Sequence, residues 1–78
     1  MKKNIGQKDE FLNTLGKTIK MLRKDKGMTQ QHIVALCDSE KAHISRLEVG
    51  KTNPQILTLK KIAENFEVPL TAFFTNIA

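Results

Sequence analysis

Between residues 37 and 54 the chain reads CDSEKAHISRLEVGKTNP, which gathers thiol, carboxylate, hydroxyl, ammonium, imidazole and guanidinium groups within a few turns. Three kinds of chemistry could use such a set. A hydrolase triad would draw on Ser39 or Ser45 with His43 and Asp38, but these residues share one turn and one short helix. A chain of 78 residues offers little scaffold to bury a substrate around them, so catalysis is not expected. A metal site would draw on His32, Cys37 and His43. Zinc sites use four ligands, or three and a water, whereas here the cysteine falls on an inward position and the two histidines on outer faces of different helices. Neither a metal nor a cofactor is expected. What remains is recognition, in which a rigid element displays donors and charges to a partner of complementary polarity.

The element in question is a helix over about 41–49. Ile44 and Leu47 stand three apart and share one face, so two side chains hold the helix down while Lys41, Ala42, Ser45 and Arg46 point outward. Other elements must position it. Residues 1–9 are polar and lysine-rich and include Gly6, which reads as a mobile basic arm. Phe11 or Leu12, Leu15, Ile19 and Leu22 then recur at helical steps, giving an amphipathic helix that ends near Lys26, with Gly27 as its left-handed stop. Thr29 is placed to cap a second helix containing Ile33, Leu36 and Cys37. After a sharp turn at Asp38-Ser39-Glu40 comes the polar helix, stopped at Gly50. The turn KTNPQ leads to a fourth helix marked by Leu57, Leu59, Ile62, Ala63 and Phe66. Pro69 is suited to open a fifth, containing Leu70, Phe73 and Phe74. The expected architecture is all-α, a compact five-helix domain over residues 10–78.

Bulk properties narrow the partner. A chain of this length buries about 60 to 65% of its unfolded surface, enough for one core and one surface site. With 40% hydrophobic and 27% charged residues it is ordinary for a globular protein. No apolar run approaches the ~20 residues of a membrane span, no signal-peptide core follows Met1, and a single cysteine cannot make an internal disulfide. A cytoplasmic location is expected, with no membrane partner. The net charge of +5 invites a polyanion. All of it lies in residues 1–26, which hold eight basic and three acidic residues, while residues 27–78 hold five of each.

A polar helix behind a sharp turn meets the physical demands of a helix-turn-helix. The first helix of that motif lies over the nucleic-acid backbone and the second enters the major groove, so the pair needs apolar contacts across the turn and a polar outer face on the second helix. Ile33, Val34 and Cys37 precede the turn, and Ile44 and Leu47 follow it. The run LGKTIKMLRKDKGMTQQHIVALCDSEKAHISRLEVGKTNPQILTLKKIAENFEVPLTAFF, residues 15–74, closely resembles the Cro/repressor-type helix-turn-helix family, often called the XRE family. Its most specific pieces are LRKDKGMTQ and ISRLEVGKTNP at the family's spacing. The resemblance implies a lambda repressor-like DNA-binding domain that acts as a homodimeric transcriptional regulator on double-stranded DNA with a palindromic operator.

Carried over position by position, the resemblance places Lys41, Ala42 and Arg46 where such domains face base edges. Arg46 could pair two donors with a guanine, and Ala42 offers a methyl to thymine. Gln30 falls where the family touches a phosphate and braces the reading helix. His43 and Ser45 lie nearer the backbone, and Gly50, Lys51 and Asn53 lie where main-chain N–H groups and charge meet phosphate. Arg23 and Glu48 match an internal salt bridge of similar repressors and are therefore scaffold. The chain departs from the family pattern at the turn, where Asp38 and Ser39 replace glycine and an apolar residue, at the larger Val34, and at Glu40 in place of a Ser or Thr cap. Phe73, Phe74 and Ile77, three apolar residues in five, exceed what one helix face can bury, which together with Leu70 marks a dimer interface, the alternative being that Phe73 fills the core. The competing expectation keeps the fold but makes it a protein-interaction module, such as an antitoxin whose main partner is another protein.

Overall fold

The computed structural model describes residues 2–37 and 40–75, with side chains from Glu10 onward. Four α-helices follow one another: α1 (Lys2–Asp25), α2 (Gln30–Cys37), α3 (Lys41–Glu48) and α4 (Ile56–Phe66), closed by a 3-10 helix at Leu70–Phe74. The all-helical class is as expected, but the fifth element is a tight 3-10 segment rather than an α-helix. Pro69 precedes it in extended geometry (φ −69°, ψ 151°), and the element is only five residues long, within the short span to which 3-10 runs are usually confined. Among the described residues no helix is long and apolar enough to cross a membrane.

The largest departure is at the N-terminus. Helical backbone begins at Lys2, so residues 2–9 continue α1 where an arm was expected. Once a helix is anchored by packing further along, each added residue gains a hydrogen bond without a new nucleation cost, and lysine and glutamine tolerate the helix well. The cost of Gly6 is about 1 kcal/mol and does not stop propagation. At 24 residues, α1 is about 36 Å long and nearly spans the 39 Å length of the molecule.

Three helix ends share one closure. At the end of α1, the Gly27 N–H donates to the Lys24 carbonyl and the Met28 N–H to that of Arg23, both at 3.0 Å, with Gly27 at φ 69°. This is the Schellman arrangement, in which a left-handed residue satisfies the last carbonyls. Gly50 (φ 77°) does the same for α3. At the end of α4 the left-handed position falls to Glu67 (φ 60°), which has a Cβ and is strained there. Thr29 caps α2 as expected, its Oγ1 accepting from the His32 N–H at 3.1 Å.

The core is built from every element: Leu15 and Ile19 of α1, Ile33 of α2, Ile44 and Leu47 of α3, Leu59, Ile62, Ala63 and Phe66 of α4, and Phe73. Phe66 and Phe73 meet edge to face at 6.1 Å. Several expected core positions are not in it. Leu57 is 71% exposed, Leu36 lies at the surface and Val34 is only half-buried. Periodicity locates a helix, but the rotation of a two- or three-turn helix is set by what it docks on.

Candidate nucleic-acid interface

α3 is only eight residues long, well short of the ~12–15 that an isolated helix needs, so its orientation is imposed from outside. Ile44 and Leu47 anchor it, as the spacing predicts, and Glu48 is buried beside them at 3% exposure. A carboxylate so placed must be matched, and α1 supplies the match. Arg23 Nε donates to Glu48 Oε2 at 2.6 Å and Nη2 to Oε1 at 3.2 Å, a fork-to-fork pair. The third nitrogen, Nη1, donates to the Met28 carbonyl at 2.7 Å, tying in the α1–α2 turn. Gln30, at the start of α2, donates from Nε2 to Glu48 Oε1 at 2.9 Å and accepts the Ser45 hydroxyl on Oε1 at 3.1 Å. One polar relay therefore runs Arg23, Glu48, Gln30, Ser45 and locks three helices together.

Gly16 is the positioning residue that the sequence reading passed over. A Cβ there would lie 2.7 Å from the Glu48 carbonyl oxygen and nearer still to that of Leu47, so α1 and α3 touch backbone to backbone. The available signal was a lone glycine inside an otherwise regular apolar period, which needs a packing reason. Gly50 makes a second close approach, since a Cβ on it would lie 2.5 Å from Asn13 Oδ1.

With its inner face fixed, α3 turns Lys41, Ala42 and Arg46 to solvent, and among the described residues the two cations take part in no ion pair. His43 and Arg46 line a polar groove of about 630 Å³ together with Asn53, Glu40 and Thr58. Glu40 opens α3 in extended geometry and makes no side-chain cap bond, so it does not stand in for a Ser or Thr cap. Cys37 also borders the groove. Burial pushes its thiol above the ordinary range, partly offset by the nearby Lys61 ammonium.

Other expected contacts change role. The Gly50 N–H donates to the Leu47 carbonyl at 3.2 Å and the Lys51 N–H to that of Arg46 at 2.8 Å, so the closure of α3 uses both main-chain donors assigned to phosphate. The Lys51 ammonium and the Asn53 amide remain on exposed residues. The Ser45 hydroxyl proton is likewise spent, on Gln30. Of the four residues expected at a dimer interface, Phe73 has 0% exposure and belongs to the core, because the 3-10 helix folds back onto α4. Leu70 and Phe74 are half-buried, and the Phe74 ring stands 6.4 Å from that of Phe11. Ile77, like Asp38 and Ser39, lies outside the described residues.

Two short consecutive helices, the second locked by a buried ion pair and turning a polar face outward, are the marks of a Cro/XRE-type helix-turn-helix regulator. Residues 19–73 match the HTH_3 helix-turn-helix family, and the chain belongs to it. It is 32% identical over 63 residues to the control protein C.MunI of a Mycoplasma species, covering 80% of this chain and 85% of that one. It is 34% identical over 61 residues to the HTH-type transcriptional regulator SlrR of Bacillus subtilis, covering 77% of this chain but 40% of SlrR. Among solved structures, an HTH_3 family transcriptional regulator from Vibrio cholerae superposes with a TM-score of 0.78 at 33% identity, over 90% of this chain and 39% of that one. The chain thus spans about two fifths of SlrR and of the Vibrio regulator. Relatives named as a transcriptional regulator and a control protein support the regulator class and do not favour the protein-interaction alternative.

Proposed function

We propose that the protein is a sequence-specific regulator of transcription that binds double-stranded DNA as a homodimer, with α3 in the major groove. The observation that carries this reading is the two-sidedness of α3. Ile44, Leu47 and Glu48 are buried and locked to α1 and α2, while Lys41, Ala42 and Arg46 are exposed on the other side with no partner among the described residues. Arg46 presents a planar fork suited to the N7 and O6 acceptors of guanine. Ala42 presents a methyl group, and Lys41 stands at the leading end of the helix. Lys51, His43 and Asn53 border this face and are assigned to phosphate, which fixes register without reading sequence.

Two copies on a palindromic operator would place their reading helices about 34 Å apart. Phe11 at 43% exposure, with Leu70 and Phe74 half-buried beside the described C-terminus, supplies the apolar surface for such a dimer. Selection of bound duplexes from a random pool tests the reading directly. A two-fold symmetric consensus is expected, with affinity that falls steeply as salt rises. Arg46→Ala should relax preference at one position at a loss of about 1–3 kcal/mol, while Lys51→Ala should weaken all duplexes about equally. A pool that returns no consensus, or an Arg46→Ala profile identical to that of the parent, refutes the assigned docking face. Sedimentation analysis at the concentrations used for binding reads the dimer independently.

A further inference from the structure

We infer that Val49 is a second apolar reader of the duplex, taking the C5 methyl of a thymine on the far side of Arg46 from the base pair that Ala42 contacts. The inference deepens the DNA reading above and rests on it. Positions 42, 46 and 49 are separated by four and then three residues, so they stand on one face of α3, opposite Ile44, Leu47 and Glu48. Ala42 and Arg46 are exposed, and Val49 is 53% exposed. A large apolar side chain therefore lies in line with the two residues assigned to base edges.

Among the described residues no packing contact in the core accounts for a valine there. It does not enter the core, and it serves as C-cap of α3, a position where a β-branched residue brings no helix-forming advantage. Its backbone is nonetheless held firmly. The Val49 N–H donates to the Ser45 carbonyl at 3.3 Å, and the two N–H groups that follow close on Leu47 and Arg46. Stiffness at χ1 adds to this, so presenting the isopropyl group to a partner costs little further ordering.

The partner's chemistry follows from the groove. In the major groove the one apolar group on a base edge is the thymine C5 methyl. Seven residue steps along α3 and its C-cap carry the chain from Ala42 to Val49, roughly 10 Å, which with α3 laid along the groove corresponds to about three base-pair steps at 3.4 Å each. The expected half-site thus carries two thymines about three steps apart, on either strand, with the guanine read by Arg46 between them.

Deoxyuridine tests this because it differs from thymidine by that methyl alone. The consensus duplex selected by the unaltered protein is made with each thymine replaced singly, and the Kd is measured for the unaltered protein, Val49→Ala and Val49→Thr. For the unaltered protein, replacement at the thymine assigned to Val49 should weaken binding about fourfold, the equivalent of about 0.8 kcal/mol for one methyl group at 1.4 kcal/mol per decade. Val49→Ala should bind the thymine duplex more weakly by at least that factor and lose its response to uracil at that position, while keeping its response at the thymine assigned to Ala42. Val49→Thr retains one methyl and should fall between. The inference is overturned if Val49→Ala keeps the parent's full uracil profile. It is equally overturned if Val49→Ala weakens every duplex by one common factor, since that places the side chain against the sugar-phosphate backbone. A consensus absent from the pool bound by the unaltered protein removes the DNA reading itself, an outcome distinct from both.

Discussion

Replacing Gly16 with alanine tests how the reading helix is held. At an exposed helical position this change stabilises a protein by about 0.5–1 kcal/mol, because glycine loses more backbone freedom on folding. Here the added Cβ would stand 2.7 Å from the Glu48 carbonyl oxygen and closer to that of Leu47. Close carbon-to-oxygen contacts lie at about 3.3 Å or more, so α1 and α3 must part by at least about 0.6 Å at Glu48 and by more at Leu47. The obstructing atoms are main chain on both sides, and no rotamer change relieves them. Overpacking of this kind costs about 1–3 kcal/mol, and a gap of half an ångström forfeits part of the dispersion contact among Leu15, Ile19, Ile44 and Leu47. Set against the helix-propensity gain, the net loss is about 1–2 kcal/mol. For a domain of this size that lowers Tm by roughly 5–15 °C, readable by far-UV circular dichroism and by the urea midpoint. A variant as stable as the parent, or more stable, would refute the close backbone approach and with it the seat of α3 on α1.

Three further outcomes follow from the same geometry. Glu67→Gly should raise stability by about 0.5–1 kcal/mol, since glycine holds φ 60° without a Cβ penalty; an unchanged urea midpoint would show that the left-handed closure of α4 is not strained. Arg23→Met leaves the Glu48 carboxylate at 3% exposure with Gln30 alone, a loss of about 3–5 kcal/mol, whereas Arg23→Met with Glu48→Leu should recover much of it; equal losses would mean that the pair does not couple the helices. Because burial raises the Cys37 thiol, the folded protein keeps that proton to higher pH than the unfolded chain, so stability is unaffected below the ordinary thiol range and falls as pH climbs through it. A Cys37→Ala variant should show a flatter decline over the same alkaline window, and identical slopes would remove the effect.

Much of the fold could be read from local signals, because at several points local chemistry and tertiary structure agree. Gly27 and Gly50 adopt the left-handed geometry that ends α1 and α3, Thr29 caps α2, and Ile44 with Leu47 anchors the reading helix. The pairing of Arg23 with Glu48 came from family resemblance and could not have come from spacing, since the two residues are 25 apart in the chain. What stayed hidden depends on docking. Leu57 fits an apolar period yet faces solvent, because α4 packs through Leu59, Ile62, Ala63 and Phe66. Residues 2–9 have no apolar stripe of their own, and their helical backbone is inherited from the anchored part of α1. At Glu67 a residue with no preference for left-handed geometry closes a helix, so no residue type announced the turn.

These details fit a division of labour along α3. Its C-terminal half is over-determined: Leu47 and Glu48 are buried, the Arg23 fork and the Gln30 amide grip the carboxylate, and the Gly50 and Lys51 donors seal the last carbonyls. Its N-terminal end is held less, since Glu40 supplies no side-chain cap and the first buried residue is Ile44. Arg46 and Val49 therefore project from the rigid half, so on the proposed reading they would meet base edges at little ordering cost, whereas Lys41 and Ala42 project from the half that Glu40 leaves without a side-chain cap. A phosphate or base acceptor at that end would provide what the Glu40 side chain does not, because the first N–H groups of a helix favour negative charge. On the proposed reading, contact with DNA completes α3 at its leading end while leaving its trailing end unchanged. The anchored trailing half is why a helix of eight residues, too short to persist alone, can still present a defined outward surface.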